Sequence, residues 1–240
     1  MQDKIPSLED IKDAYNLLVG GIDKKAHDED NEGTRAYGGA VRSAKGLLVE
    51  GMAKHLIRIA WQELKQDPSR LTFGGAKVRV PIKKEYLERV YPKEVADYIK
   101  ANIKDYFYGL KTDIHVNIDG NFVLGVECKA YTENAMLKRI LVDFMLFKQI
   151  LPNLKCVLLQ LESQLTGDYS RPSNQIIYGS KSTHTLLSYF DVDLNIITLL
   201  EGERKVDKPI HKKNYFKEMR DDVLKKSIDT LVHILCDFGR

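Results

Sequence analysis

The sequence predicts an α/β fold in which a mixed central sheet is flanked by helices. First, residues 113–118 and 122–129 alternate polar and apolar side chains around a turn, which is typical of an antiparallel hairpin. Second, residues 133–150 carry apolar side chains at helical spacing. Third, residues 155–162 are interpreted as a continuous apolar run, as expected of a strand covered on both faces. A hairpin that leads through a helix into a buried strand requires both antiparallel and parallel pairing in one sheet.

Composition favours one globular domain. The chain has 240 residues, of which 43% are hydrophobic and 30% charged, so it can bury a sizeable core and is too apolar for a disordered chain. We expect no membrane span, because no window of about 18 uninterrupted apolar residues occurs. Residues 1–21 do not have the pattern of a secretory signal, and three cysteines without C-x-x-C spacing favour a reducing, cytoplasmic location. The net charge of +3 permits a polyanionic partner without requiring one.

The first half of the chain is predicted to contain a long helix, a strand and a divided helix. Polar, glycine-containing residues 23–39 indicate a loop. Residues 41–64 carry apolar side chains at three- and four-residue steps, which predicts a helix. Alternating valines near the end of residues 71–82 indicate a strand. Residues 84–108 again have helical spacing, but Pro92 divides them because proline removes a helical hydrogen bond.

The second half of the chain supplies the remaining elements of the sheet. The helix over 133–150 and the strand over 155–162 are followed by a long polar loop over 163–182. A further strand is predicted over 194–200, and a final helix over about 216–236. The final helix either supports a dimer or covers the sheet.

The turn of the hairpin decides which side chains lie opposite each other. A two-residue turn at Asp119-Gly120 would place Asp113 opposite Val126. A three-residue loop that ends at Asn121 would place Asp113 opposite Glu127. We adopt the three-residue loop, because it separates polar from apolar side chains cleanly. Its polar face consists of Asp113, His115, Asn117, Gly125, Glu127 and Lys129. Its apolar face consists of Ile114, Val116, Ile118, Phe122, Leu124, Val126 and Cys128.

Two carboxylates and one ammonium group would then meet at the open end of the hairpin. Like charges on a mostly apolar sheet require a cation between them, and two carboxylate oxygens, a backbone carbonyl and water molecules suit Mg²⁺. We therefore expect Asp113, Glu127 and the carbonyl of Cys128 to be the metal ligands. Lys129 would polarise or deprotonate the attacking water, or steady the phosphate charge. The alternative is a solvent-facing cross-strand ion pair, which the apolar character of residues 122–128 disfavours.

The pattern D-x(13)-E-x-K, formed by Asp113, Glu127 and Lys129, resembles the signature of the PD-(D/E)XK nucleases. Its context GVECKAYTEN most resembles the type II restriction endonucleases, and the resemblance is firm over residues 105–162. Thr112 stands where the family pattern has a proline that varies among its members. The resemblance implies a restriction-endonuclease-like fold, with residues 1–240 forming a single nuclease domain. It also implies a homodimer that cuts double-stranded DNA within a restriction-modification system, with Mg²⁺ as cofactor and Mn²⁺ as its substitute, leaving 5′-phosphate and 3′-hydroxyl ends.

Glu50 is a further catalytic candidate. Several restriction endonucleases place a glutamate from an early helix beside the metal, and Glu50 lies in the predicted helix between Gly46 and Gly51. The alternative is a solvated ladder of charges formed by Glu50, Lys54 and Arg58 at four-residue steps.

DNA contacts are expected from basic and amide side chains just before and in the first long helix and in the region 163–215, which we predict to be the DNA-recognition region. Long loops in compact domains are usually functional, and base readout uses Arg, Lys, Asn and Gln, whereas phosphates need any cation. The alternative at each position is an ordinary solvated side chain. The DNA-binding candidates are Arg35, Arg42, Lys45, Arg171, Asn174, Gln175, Lys181 and His184.

The leading hypothesis is a type II restriction endonuclease. One alternative keeps the fold but acts on DNA structure, as a repair or Holliday-junction nuclease. Another is a non-catalytic DNA-binding protein on a degenerate nuclease fold. Discrete DNA fragments would favour the first hypothesis over the second, and divalent metal binding would separate both from the third.

Overall fold

A five-stranded mixed sheet forms the centre of the molecule. The structure is a computed structural model that describes residues 7–28, 35–170 and 180–239. Its helices are α1 (Leu8–Asp28), α2 (Arg35–Glu63), α3 (Lys84–Leu87), α4 (Lys93–Ala101), α5 (Asn134–Ile150), α6 (Lys181–Ser188) and α7 (Asp221–Leu235). Its strands are β1 (Leu71–Phe73), β2 (Val78–Pro81), β3 (Phe107–Leu110), β4 (Ile114–Ile118), β5 (Asn121–Thr132), β6 (Lys155–Ser163) and β7 (Leu194–Thr198). The predicted α/β class is confirmed.

The order of strands in the central sheet is β1-β4-β5-β6-β7. The pairs β1/β4 and β4/β5 are antiparallel, whereas β5/β6 and β6/β7 are parallel. Strands β2 and β3 form a separate two-stranded antiparallel sheet. The change of direction occurs at β5 because helix α5 carries the chain from the end of β5 back to the start of β6.

Helices cover both faces of the central sheet. Helices α1, α2 and α7 pack on one face, where Tyr15, Leu56 and Leu231 are fully buried with the apolar residues of the hairpin. Helix α5 packs on the other face through side chains such as Phe144 and Phe147. Within this chain, α7 therefore covers the sheet. In the described ranges, no helix has both the length and the apolar character needed to cross a membrane.

Three sequence-based boundaries were wrong. Most of the loop predicted over 23–39 is helical instead, because α1 continues to Asp28 and α2 already begins at Arg35. A polar segment can be the outer face of a helix as well as a loop. The strand predicted over 71–82 is two strands in different sheets, and Gly74 with its positive φ of 106° lies between them. The end of the segment predicted as helical over 84–108 belongs to β3.

Candidate active site at the open end of the hairpin

The hairpin closes with a two-residue turn, so the predicted three-residue loop was wrong. Asp119 and Gly120 both adopt positive φ, at 51° and 78°, and Ile118 pairs with Asn121. Positive φ at both central residues is the requirement of the tight turn whose twist matches that of a hairpin. The sequence Asp-Gly satisfies this requirement because aspartate tolerates the left-handed region and glycine enters it freely.

A β-bulge restores the pairing on which the site depends. Asn117 pairs with Phe122, but the next pair joins Val116 to Leu124, so Val123 is the extra residue. The ladder then continues through Ile114 and Val126, which brings Asp113 to the level of Glu127. The predicted neighbours at the open end are therefore present, although the turn that was expected to align them is not.

The bulge also moves Phe122 away from the apolar face to which it was assigned. The Phe122 ring stacks on His115 at a centroid distance of 4.1 Å, on the side of the sheet covered by α5. His115 is buried and accepts a hydrogen bond at Nε2 from the backbone N–H of Thr112 at 3.3 Å. Burial lowers the pKa of His115. Its surroundings are those of a neutral histidine that packs in the core. This agrees with the preference of Mg²⁺ for oxygen ligands over nitrogen.

One ammonium group bridges the two carboxylates of the site. Lys129 Nζ donates to Asp113 Oδ2 and to Glu127 Oε2, and both distances are 2.7 Å. Asp113 Oδ2 also accepts the backbone N–H of Cys128 at 2.8 Å. The side chains of Lys129 and Asp113 are 31% and 30% exposed, and that of Glu127 is 13% exposed. The structure thus brings Asp113, Glu127 and Lys129 together at a half-buried position that solvent still reaches.

Burial and charge act in opposite directions on these groups. Burial raises the pKa of Glu127, and the Asp113 charge adds to that effect while the Lys129 ammonium opposes it. Burial alone would lower the pKa of Lys129, but the charges and hydrogen bonds of the two carboxylates outweigh it and leave that pKa raised. Burial also raises the pKa of the Cys128 thiol, so this sulfur remains protonated. Cys128 is therefore suited to offer its backbone carbonyl to a metal rather than a thiolate.

Two further carboxylates lie within electrostatic reach of the hairpin, one on each side of the sheet. The charge of Glu50 on α2 contributes to the raised pKa of Cys128. Burial raises the pKa of Asp143 on α5, and the ammonium of Lys129 opposes this shift. Glu50 is therefore close enough to the hairpin for its charge to act on Cys128.

The donor set fits a hard divalent cation. Across residues 7–28, 35–170 and 180–239, no three His, Cys, Asp or Glu side chains form a cluster that could hold a metal by themselves. Two carboxylate oxygens from Asp113 and Glu127, however, already flank a single cationic nitrogen. Oxygen donors from two carboxylates and a backbone carbonyl, with water completing the shell, are the ligands that Mg²⁺ accepts.

The DNA-binding candidates are distributed over several elements. Lys181 and His184 lie on α6 with exposed side chains. Lys45 on α2 is half-buried, and burial lowers its pKa, whereas the nearby charge of Glu162 opposes that shift. Arg35 and Arg42 belong to α2, but their side chains lie outside the described part of the molecule. Arg171, Asn174 and Gln175 lie outside the described residues altogether. These assignments stay predictions.

The sequence interpretation missed polar side chains on β6 beside the site. Gln160 and Glu162 are buried on the strand that was interpreted as continuously apolar. Glu162 forms an ion pair with Lys217 at 2.9 Å. Arg204 lies over the Tyr131 ring at 3.8 Å and donates to Gln164. The signal was visible as two polar residues at alternate positions in KCVLLQLES, which places both on one face.

One curated relative is similar along most of its length. The type II restriction enzyme DdeI of Desulfomicrobium norvegicum is 48% identical to this chain over 225 residues, which cover 93% of each of the two chains. No family model and no solved structure matches the chain.

Proposed function

The chain belongs to the type II restriction enzymes and is a sequence-specific DNA endonuclease, and we propose that Asp113, Glu127 and Lys129 carry out its chemistry. The observation that supports this assignment is the single ammonium group held by two carboxylates at the open end of the hairpin. Half-buried like charges at one point of a sheet are costly, and such clusters occur preferentially at functional sites.

Asp113 and Glu127 are the proposed metal ligands, together with the backbone carbonyl of Cys128. The N–H and C=O of one residue in a strand point to the same side, and the N–H of Cys128 already points to Asp113. Strand β4 has ended at this level, so the ladder leaves that side of Cys128 open. Mg²⁺, or Mn²⁺ as its substitute, would supply charge neutralisation at the phosphate and a water of lowered pKa.

Lys129 is the proposed cationic partner of the reacting phosphate and water. The two carboxylates hold its ammonium at the site and raise its pKa, and Nζ can donate hydrogen bonds to the attacking water or to a phosphate oxygen. Attack of the water oxygen on phosphorus breaks the bond from phosphorus to O3′. The products are then a 5′-phosphate and a 3′-hydroxyl end. Glu50 is proposed as an additional carboxylate on the α2 side.

The remaining parts of the proposal concern family, domain and assembly. The D-x(13)-E-x-K spacing and the strand ends that carry it support membership of the PD-(D/E)XK superfamily and a restriction-endonuclease-like fold. We assign residues 1–240 to a single nuclease domain, in which residues 163–215 form the DNA-recognition region. A homodimer is proposed because two copies of one site cut both strands of a symmetric DNA sequence.

Digestion of a large phage DNA in the presence of Mg²⁺ tests the proposed chemistry. The parent enzyme should give discrete fragments. Asp113→Asn, Glu127→Gln and Lys129→Met should each reduce the cleavage rate by about 10³-fold, because each removes a charge that acts on the reacting groups. Binding of an uncut DNA fragment that contains a cleavage site, measured by fluorescence anisotropy without a divalent metal, should persist in all three.

An ion pair at the opposite end of the same sheet provides matched controls. Lys155 Nζ lies 2.9 Å from Asp237 Oδ2, so Lys155→Met and Asp237→Asn repeat the changes made at Lys129 and Asp113, but away from the site. Both controls should cut DNA at close to the parental rate. Near-parental cleavage by Asp113→Asn or Lys129→Met would show that the reaction takes place elsewhere.

A further inference from the structure

Gln160 lies directly beside Lys129 in the parallel half of the sheet. The two residues are register partners in the β5/β6 pair, and their side chains project from the same face of the sheet. Neighbouring strands are about 4.8 Å apart, which is within the reach of both long side chains. Gln160 is fully buried, in a strand whose other interior residues are mostly aliphatic.

The amide of Gln160 has a hydrogen-bond partner for its nitrogen but none for its oxygen. Its Nε2 donates to Thr198 Oγ1 on β7 at 3.0 Å. Its Oε1 is buried and has no hydrogen-bond partner. Unpaired buried acceptors are uncommon in folded proteins and call for an explanation. Gln160 thus presents a buried acceptor without a partner on the residue that is paired with Lys129.

The Lys129 ammonium can donate one more hydrogen bond than the carboxylates of Asp113 and Glu127 accept. An ammonium group carries three hydrogens, and Asp113 and Glu127 accept two of them. When these carboxylates bind a divalent cation, as the proposed function requires, the metal and the Lys129 ammonium compete for the same carboxylate oxygens. The ammonium then needs another acceptor close by, since a half-buried charge without a partner is costly.

We propose that Gln160 is a positioning residue whose Oε1 accepts a hydrogen bond from the Lys129 ammonium when Asp113 and Glu127 bind a divalent cation. Thr198 keeps the amide turned so that the oxygen faces Lys129. In this arrangement the ammonium stays beside the metal ligands without competing for their oxygens. The inference rests on the proposed function, because it takes the two carboxylates as metal ligands.

Calorimetric titration of the DNA-free, full-length protein with Ca²⁺ tests this role without relying on activity. Gln160→Met preserves the length of the side chain but removes the acceptor. We expect it to weaken Ca²⁺ binding by about 10- to 100-fold, the range for a lost hydrogen bond to a charged group. In a Lys129→Met background the same change should have less than about a twofold effect, because the ammonium that needs the acceptor is absent.

A control and a second variant separate positioning from structure. Thr132 Oγ1 is another buried, unpartnered oxygen at the same end of β5, and Thr132→Val should leave Ca²⁺ affinity unchanged. Thr198→Val keeps Gln160 but frees its amide, and it should weaken Ca²⁺ binding only when Lys129 is present. This variant also tests the proposal if Gln160→Met does not fold.

The outcomes distinguish the inference from the function on which it rests. Parental Ca²⁺ affinity in Gln160→Met, or equal weakening with and without Lys129, would overturn the role of Gln160. Asp113→Asn serves as the reference, since it should lose Ca²⁺ binding whatever Gln160 does. If Asp113→Asn binds Ca²⁺ like the parent, the proposed metal site itself is wrong.

Discussion

Replacing Gly125 with alanine tests how tightly the hairpin is packed against α5. A Cβ atom at this position would lie 3.0 Å from Cε1 of Phe144 and 3.2 Å from Cγ2 of Thr112. Phe144 is fully buried and Thr112 is only 2% exposed, so neither side chain can turn into solvent to make room. Thr112 immediately precedes Asp113, and a shift that relieves the contact therefore moves the first carboxylate of the site.

The expected loss of stability follows from the cost of overpacking. One additional methyl group in a filled core destabilises a protein by about 1–3 kcal/mol. For a chain of this size, each kcal/mol lowers the unfolding midpoint by about 2–4 °C, so Gly125→Ala should melt about 2–12 °C below the parent in differential scanning calorimetry. DNA cleavage should also slow at temperatures at which the variant is fully folded, because Asp113 is displaced from Lys129.

Two further variants make this test specific. Gly46 on α2 has nothing within 4 Å of an added Cβ atom, so Gly46→Ala should stabilise the protein by about 0.5–1 kcal/mol through its helix propensity. Phe144→Leu should cost less in the Gly125→Ala background than in the parent, since it removes the ring atom that the new methyl group meets. An unchanged melting curve for Gly125→Ala, together with additive effects in the double variant, would refute the packing on which this reasoning depends.

The turn and the bulge of the hairpin can be tested separately. Arg70 donates to the Asp119 carboxylate at 2.8 Å, and this hydrogen bond lowers the pKa of Asp119 below its ordinary value of 3.8. The ion pair therefore contributes fully to stability above pH 3.8, and this contribution is lost as the pH falls through the lowered pKa. Asp119→Asn should remove this acid-dependent part from urea unfolding curves, and the same acid dependence in the variant would mean that the ion pair contributes nothing. Deleting Val123 leaves every pair from Val116 to the open end unchanged, so cleavage should persist in a less stable protein; a folded but inactive deletion would show that the bulge itself shapes the site.

The side chains at the open end of the hairpin could be predicted from sequence, because the residue types that suit a metal site also occur at the spacing that places them on one face. Polar and apolar residues alternate along both strands, and this fixes the faces on which Asp113, Glu127 and Lys129 lie. The turn could not be predicted by the same reasoning. Strict alternation assumes one residue against one, whereas a bulge places two residues against one. The position of the bulge depends on where the Phe122 ring finds its partner, and His115 supplies that partner through tertiary packing.

The first helix was missed for a different physical reason. Ile11, Tyr15 and Val19 are buried at helical spacing, but Leu17, which lies off that face, is exposed, so the separation of apolar and polar faces is weak in the sequence. Tyr15 shows why the segment is nevertheless ordered: its hydroxyl donates to the backbone carbonyl of Lys217 at 2.7 Å. A contact over 202 positions of sequence separation leaves no local signal, so only the folded chain reveals it.

The position of the site follows from the unequal lengths of the two hairpin strands. Strand β4 begins at Ile114, whereas β5 continues past Val126 to Thr132 and is paired only with β6 over that stretch. The backbone of β5 on the β4 side would be unsatisfied from this point. Asp113, the residue just before β4, accepts the N–H of Cys128 that no strand is present to bind. The acid before β4 and the E-x-K sequence on the part of β5 that extends beyond β4 therefore belong to one arrangement. This part of β5 leaves backbone groups free on its β4 side, and Asp113 accepts one backbone N–H there. Glu127 and Lys129 precede and follow Cys128, whose carbonyl remains available.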